Sequence, residues 1–81
     1  MHGPNIAHIY PTGVAEINLI EGWIRMHVQH TLQVNGLVVP AIPNTVTVKF
    51  SDTTPPINPN ASFANVIITK AKEYIEGLDN H

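Results

Sequence analysis

A chain of 81 residues has room for one small domain, expected to span residues 1–81, with a thin margin of stability. It has no cysteine, which excludes a disulfide framework and thiolate metal sites, and its formal net charge of −2 has the wrong sign for a protein held mainly by phosphate contacts. No apolar run approaches the roughly 18 residues of a membrane span. The opening residues Met1-His2-Gly3-Pro4-Asn5 lack the basic flank and apolar stretch of a signal peptide, so a cytoplasmic protein with no membrane partner is expected.

Asp, Glu, Lys and Arg supply 12% of the residues, whereas ordinary soluble proteins carry about 25%. A small domain exposes proportionally more surface and should need more charge, yet hydrophobic residues reach 43%. A surface of Asn, Thr, Gln, Ser and His accounts for part of this. The fuller account is a surface partly covered by another chain, because interface cores are depleted in charge.

The first element in chain order is the least decided. Tyr10-Pro11-Thr12-Gly13 fits a type I turn, with Pro second and Gly fourth, so Asn5 to Tyr10 reads as a short extra strand within 1–13. From Val14 to Ile20, apolar Ala15, Ile17 and Leu19 alternate with polar Glu16 and Asn18. From Trp23 to Asn35 the alternation is longer: Ile24, Met26, Val28, His30, Leu32 and Val34 against Arg25, His27, Gln29, Thr31 and Gln33. That period of two specifies a half-buried antiparallel strand. A turn centred on Glu21-Gly22 would pair Leu19 with Ile24, Ile17 with Met26 and Ala15 with Val28 on one face, and Asn18 with Arg25 and Glu16 with His27 on the other.

Asn35-Gly36 is a preferred type I′ hairpin dipeptide, which would pair Leu32 with Val39 and His30 with Ala41. The later alternation of Val46, Val48 and Phe50 disagrees with that register by one residue. A bulge between Val39 and Asn44 repairs the conflict, and Pro40 and Pro43 there point to an edge strand. Residues 51–60, with Pro55, Pro56 and Pro59, read as a connector. A helix follows from about Ala61 to Glu76, capped by Asn60 or Ser62 and ended by Gly77. Phe63, Ala64, Ile67, Ile68, Ala71, Tyr74, Ile75 and Leu78 share one broad apolar face, which suits a helix lying across a sheet. The expected class is α+β: a three- to four-stranded antiparallel β-meander over 14–50, with one C-terminal α-helix packed on its apolar face.

Candidate chemistry falls on the polar sheet face. The registers above place Glu16, His27 and Thr45 in one row, Asn18, Arg25 and Thr47 in the next, and Trp23 beside Lys49. As an enzyme, Glu16 would orient His27 as a base acting on Thr45 or water. An open sheet face offers no pocket for such chemistry, so no catalytic residue and no enzymatic role is expected. As a binding strip, Trp23, Arg25, His27 and Lys49, with Glu16 nearby, offer a stacking plane and cations for a small anionic or nucleotide-like ligand. Four basic residues in the chain make a nucleic-acid partner unlikely. The five histidines do not assemble a metal site: His2 and His81 are terminal, and His27 and His30 point to opposite faces of one strand. No metal and no cofactor are therefore expected. His30, among apolar neighbours, reads as a core histidine hydrogen-bonded to backbone, with a pH-sensitive contact as the alternative.

A meander followed by a C-terminal helix is similar to the second part of double-stranded-RNA-binding domains. The lysine cluster of that family at the start of its last helix is replaced here by Pro59-Asn60-Ala61-Ser62, so the RNA function does not transfer. Val39-Pro40-Ala41-Ile42-Pro43, with Ala64, Ala71 and Ile75 on the helix, resembles small HicB-type antitoxin domains, but Asn44-Thr45 stands where that family has Gly-Cys. Neither likeness assigns a function. The expectation is a non-enzymatic module acting through protein–protein contacts, self-associating as a dimer or higher homo-oligomer. It would be a small structural or accessory protein of the kind that viruses and mobile elements encode.

Overall fold

A computed structural model describes residues 5–78, with the backbone alone for 5–7, 32–34 and 38–42. His2 and His81 lie outside the described residues. Strands β1 (Asn5–Asn18), β2 (Trp23–Val34) and β3 (Leu37–Lys49) form an open antiparallel sheet in the order β1-β2-β3. A one-turn 3-10 helix, Phe50–Asp52, and a connector lead to helix α1 (Ala64–Gly77), which packs on one face. The α+β meander with a single covering helix is thus present, with three strands among the described residues.

The core lies where α1 meets the sheet. Ile24, Met26 and Val28, every second residue of β2, are buried beneath Ile67, Ala71 and Ile75, spaced by four on the helix. Those two periods are the geometric signatures of a strand and a helix turning one side inward. Ile9, Val48, Phe50 and Ile57 complete the cluster, and Ile17, Val46, Ile68, Tyr74 and Leu78 flank it. The Phe50 N–H donates to the Gly22 carbonyl at 2.9 Å, and the Ile57 N–H to the Phe50 carbonyl at 3.0 Å, tying the connector to the β1–β2 turn. Thr53, the buried polar residue of this region, has its hydroxyl 3.0 Å from the carbonyl oxygens of both Phe50 and Pro55.

Several expected details are corrected. The β1–β2 register is slid by two residues: Ile17 opposes Ile24, Glu16 opposes Arg25 and Asn18 opposes Trp23. The cause is Asn18, whose Oδ1 accepts the Ile20 and Glu21 N–H groups at 3.1 and 2.8 Å, while its carbonyl accepts the Gly22 N–H at 2.9 Å. That local closure makes a four-residue loop in place of a two-residue one, with Gly22 at φ 82°. Leu19 and Ile20 are left exposed, Ile20 almost completely at 98%. No turn forms at Tyr10–Gly13. β1 runs straight through Pro11, which an edge strand tolerates, and absorbs its irregularity in register shifts after Ile6, Pro11 and Val14.

The β2–β3 turn has both Asn35 (φ 52°) and Gly36 (φ 83°) left-handed, as a type I′ hairpin requires. Leu32 pairs with Val39, and the expected bulge follows: His30 pairs with Ile42 rather than Ala41, and β3 forms the expected edge. The helix starts at Ala64, three residues later than expected, and Phe63 stands at its N-cap without a side-chain cap. Asn58 is the reason. Its Oδ1 accepts the Asn60 N–H at 2.9 Å and its carbonyl the Ala61 N–H at 3.1 Å, so residues 58–61 belong to a turn. Phe63 and Ala64 are exposed rather than on the packed face, and Gly77 is the last helical residue with Leu78 as C-cap.

Candidate functional site

The polar sheet face is organised in rows across the three strands. Asn18, Trp23 and Lys49 form one row, Glu16, Arg25 and Thr47 the next, and Gly13, His27 and Thr45 the third. The neighbours Arg25–Thr47, His27–Thr45 and Trp23–Lys49 agree with expectation. The Glu16–His27 row does not exist, because the two-residue slide of β1 carries Glu16 to Arg25, and the further one-residue shift between Val14 and Glu16 brings Gly13 opposite His27. A carboxylate orienting His27 is therefore absent from the arrangement.

Arg25 is the hub of this face. Its Nη1 donates to Glu16 Oε1 at 3.1 Å and its Nε to Thr47 Oγ1 at 3.3 Å, one contact to each flanking strand. Its guanidinium carbon lies 4.7 Å from the centroid of a Trp23 ring, and the indole N–H donates to Glu21 Oε2 at 3.2 Å. The side chains of Arg25 and Glu16 are 40% and 56% exposed, so their ion pair works in nearly bulk dielectric and contributes under about 1 kcal/mol. The stacking adds a similar amount. Chemically, the cluster holds an aromatic plane with one cation over it and Lys49 beside it, while Glu16 neutralises part of the charge. His27 stands one row further along the same face and is exposed.

The other end of this face is uncharged and internally bonded. The Tyr10 hydroxyl donates to Gln29 Oε1 at 2.8 Å, the Thr31 hydroxyl donates to the His8 carbonyl at 3.2 Å, and the His8 and Tyr10 rings stack at 5.5 Å. The opposite face holds His30, next to Val28 in the strand period and opposite Ile9. Both of its ring nitrogens are buried and make no hydrogen bond, in contrast to the backbone-bonded histidine expected. Among the described residues, no group of three or more His, Asp or Glu side chains is placed to hold a metal ion.

A groove of about 440 Å³ between the connector and α1, lined by Asp52, Thr53, Thr54, Lys70, Glu73 and Tyr74, escaped the sequence reading. Its two walls come from segments with no shared periodicity, so no pattern in the chain announces it. No family model, curated protein or solved structure matches the chain. No helix of the described residues is long and apolar enough to cross a membrane.

Proposed function

We propose that this chain is a non-enzymatic interaction module that self-associates, a small structural or accessory protein whose contact surface is the half of the sheet remote from the charged cluster. One observation carries this reading. No Asp, Glu, Lys or Arg stands anywhere in residues 5–15 or 26–48, and the far part of the meander is built from within those segments. The molecule measures 48 × 21 × 18 Å, while a 14-residue helix extends about 21 Å. The helix therefore covers part of the sheet only. Beyond the row of Ile9 and His30 the three strands continue to the Asn35–Gly36 turn as an arm with no charge to keep it in water. Leu37, beside that turn, is 69% exposed.

Sedimentation across a dilution series, from roughly 5 to roughly 500 micromolar, tests this, since a small interface gives weak and reversible association. The expected result is a mass that rises with concentration towards a dimer or higher oligomer. A monomer mass throughout would refute it. A second reading rests on the two cations around the Trp23 ring: the strip of Trp23, Arg25, His27, Lys49 and Glu16 takes a small anionic or nucleotide-like ligand. In that case such a ligand raises the melting temperature, and the double substitution Trp23→Ala with Arg25→Ala abolishes the rise.

A further inference from the structure

The groove between the connector and α1 has two walls, each held in place by the fold. On one side the Thr53 hydroxyl is fixed between the Phe50 and Pro55 carbonyls, and the Ile57 N–H bonds the Phe50 carbonyl. On the other, buried Ile67, Ala71 and Ile75 anchor the helix. That seating turns Lys70, Glu73, Tyr74 and Gly77 towards the connector, the i, i+3, i+4, i+7 ridge of one helix side. The space between the walls, about 440 Å³, falls within the range of small-molecule sites.

The polar groups of this groove have no partners among the described residues. Lys70 and Glu73 stand three residues apart, a spacing at which helical ion pairs form, yet neither they nor Asp52 makes one. The Thr54 and Tyr74 hydroxyls, on opposite walls, make no hydrogen bond. Lys70 and Tyr74 are half-buried and so already partly withdrawn from water. Gly77 is a separate mark. Glycine commonly ends a helix in the left-handed conformation, but Gly77 is the last helical residue and has no positive φ. A Cβ there would meet nothing within 4 Å, and glycine disfavours the helix more than any residue except proline. What its missing side chain preserves is open space in the groove wall.

Charge is ordered along the groove. Lys70 and Gly77 stand at the two ends of the ridge, a rise of about 10 Å. The Gly77 end is the C-terminus of α1, where the last carbonyls carry partial negative charge and no basic residue of the last turn offsets it. Asp52 and Glu73 add two carboxylates, and the Tyr74 ring lies between the ends. We propose that this groove binds a short zwitterionic peptide of dipeptide size, its carboxylate at Lys70 and its ammonium towards the helix C-terminus. Two extended residues span about 7 Å, which the ridge accommodates with the end groups included. Their peptide group offers a donor and an acceptor to the free hydroxyls of Thr54 and Tyr74. A simple anion would face two carboxylates and a simple amine would face Lys70, whereas a molecule carrying both charges meets a complement at each end. The site shares no residue with the arm or the Trp23 cluster, so it stands or falls apart from the function proposed above.

The test is a titration of isotope-labelled protein with alanyl-leucine to about 20 mM, followed by amide chemical shifts, because exposed ion pairs give millimolar affinity. Amides of residues 52–54 and 70–78 should move together, and those of Trp23 and Arg25 should stay in place. N-acetyl-alanyl-leucine and alanyl-leucinamide, each lacking one charge, should bind at least about fivefold more weakly, the worth of one exposed ion pair. Free leucine, too short to bridge the ends, should bind more weakly as well. Lys70→Met and Glu73→Gln should weaken dipeptide binding by a similar factor. Gly77→Leu should abolish the shifts without lowering the melting temperature, which separates a filled groove from a lost fold. Unmoved amides at the highest concentration would overturn the proposal. So would blocked dipeptides or free leucine that bind as well as alanyl-leucine, or undiminished binding by Gly77→Leu.

Discussion

Asn18 does more for this fold than its exposed position suggests. Its side-chain oxygen holds two backbone N–H groups and its carbonyl a third, and that knot decides where β1 stops and which of its residues face β2. Asn18→Ala should lower unfolding free energy by about 1 kcal/mol in urea titration, the net worth of local hydrogen bonds that water can partly replace. Gly22→Ala should cost a similar amount for a different reason. The new Cβ would meet only the Phe50 ring at 3.8 Å, an ordinary contact, but φ of 82° is costly for any residue with a Cβ. Glu16→Gln, by contrast, should change the unfolding free energy measured in urea by less than about 0.5 kcal/mol, because its ion pair with Arg25 stands in solvent. Polarity alternation could not distinguish the true β1–β2 register from the expected one. A slip of one residue reverses the faces, but a slip of two preserves them, and only the side-chain chemistry of Asn18 separates the two. Glu16 was therefore assigned to the correct face and the wrong neighbour.

At the scale of elements, the close approach of α1 to the sheet depends on its smallest core residue. Ala71 is fully buried, one helical turn from Ile67 and from Ile75, which are buried with it. Ala71→Leu should destabilise by about 1–3 kcal/mol through overpacking, whereas Ala64→Leu on the exposed first turn should change little. Chemical denaturation of the pair would show whether the helix is seated as described. The strands, the left-handed Asn35–Gly36 turn and the β3 bulge were legible because each leaves a local mark: period two, a dipeptide, a parity conflict near prolines. Pro11 left the opposite impression. Tyr10-Pro11-Thr12-Gly13 has turn chemistry, yet an edge strand does not need the missing N–H, and pairing of β1 with β2 along its whole length overrides the local preference. The helix starts later than its capping residues suggest for a related reason, since Asn60 is a good cap in isolation but is already bound into the turn that Asn58 closes.

Across the whole molecule, charge is segregated as well as sparse. The described ionic side chains stand around the β1–β2 turn, at the sheet end of Lys49 and Asp52, and on α1, while the segments that build the arm have none. Low overall charge is visible in composition, but its concentration at one end becomes meaningful only when the topology brings the uncharged stretches of β1, β2 and β3 side by side. This asymmetry separates the two proposed surfaces by their response to salt. Ions screen exposed charges over about 8–10 Å, so anion binding at the Trp23–Arg25–Lys49 cluster should weaken steadily as sodium chloride rises. Association through the arm has no ionic term to screen, and its constant should change by less than about twofold between roughly 0.05 and 0.5 M sodium chloride. Sulfate, which strengthens apolar burial by its exclusion from protein surface, should tighten the association at matched ionic strength. Sedimentation equilibrium in the two salts measures this directly. A constant that falls tenfold in sodium chloride would place the contact at the charged end and remove the arm from the account.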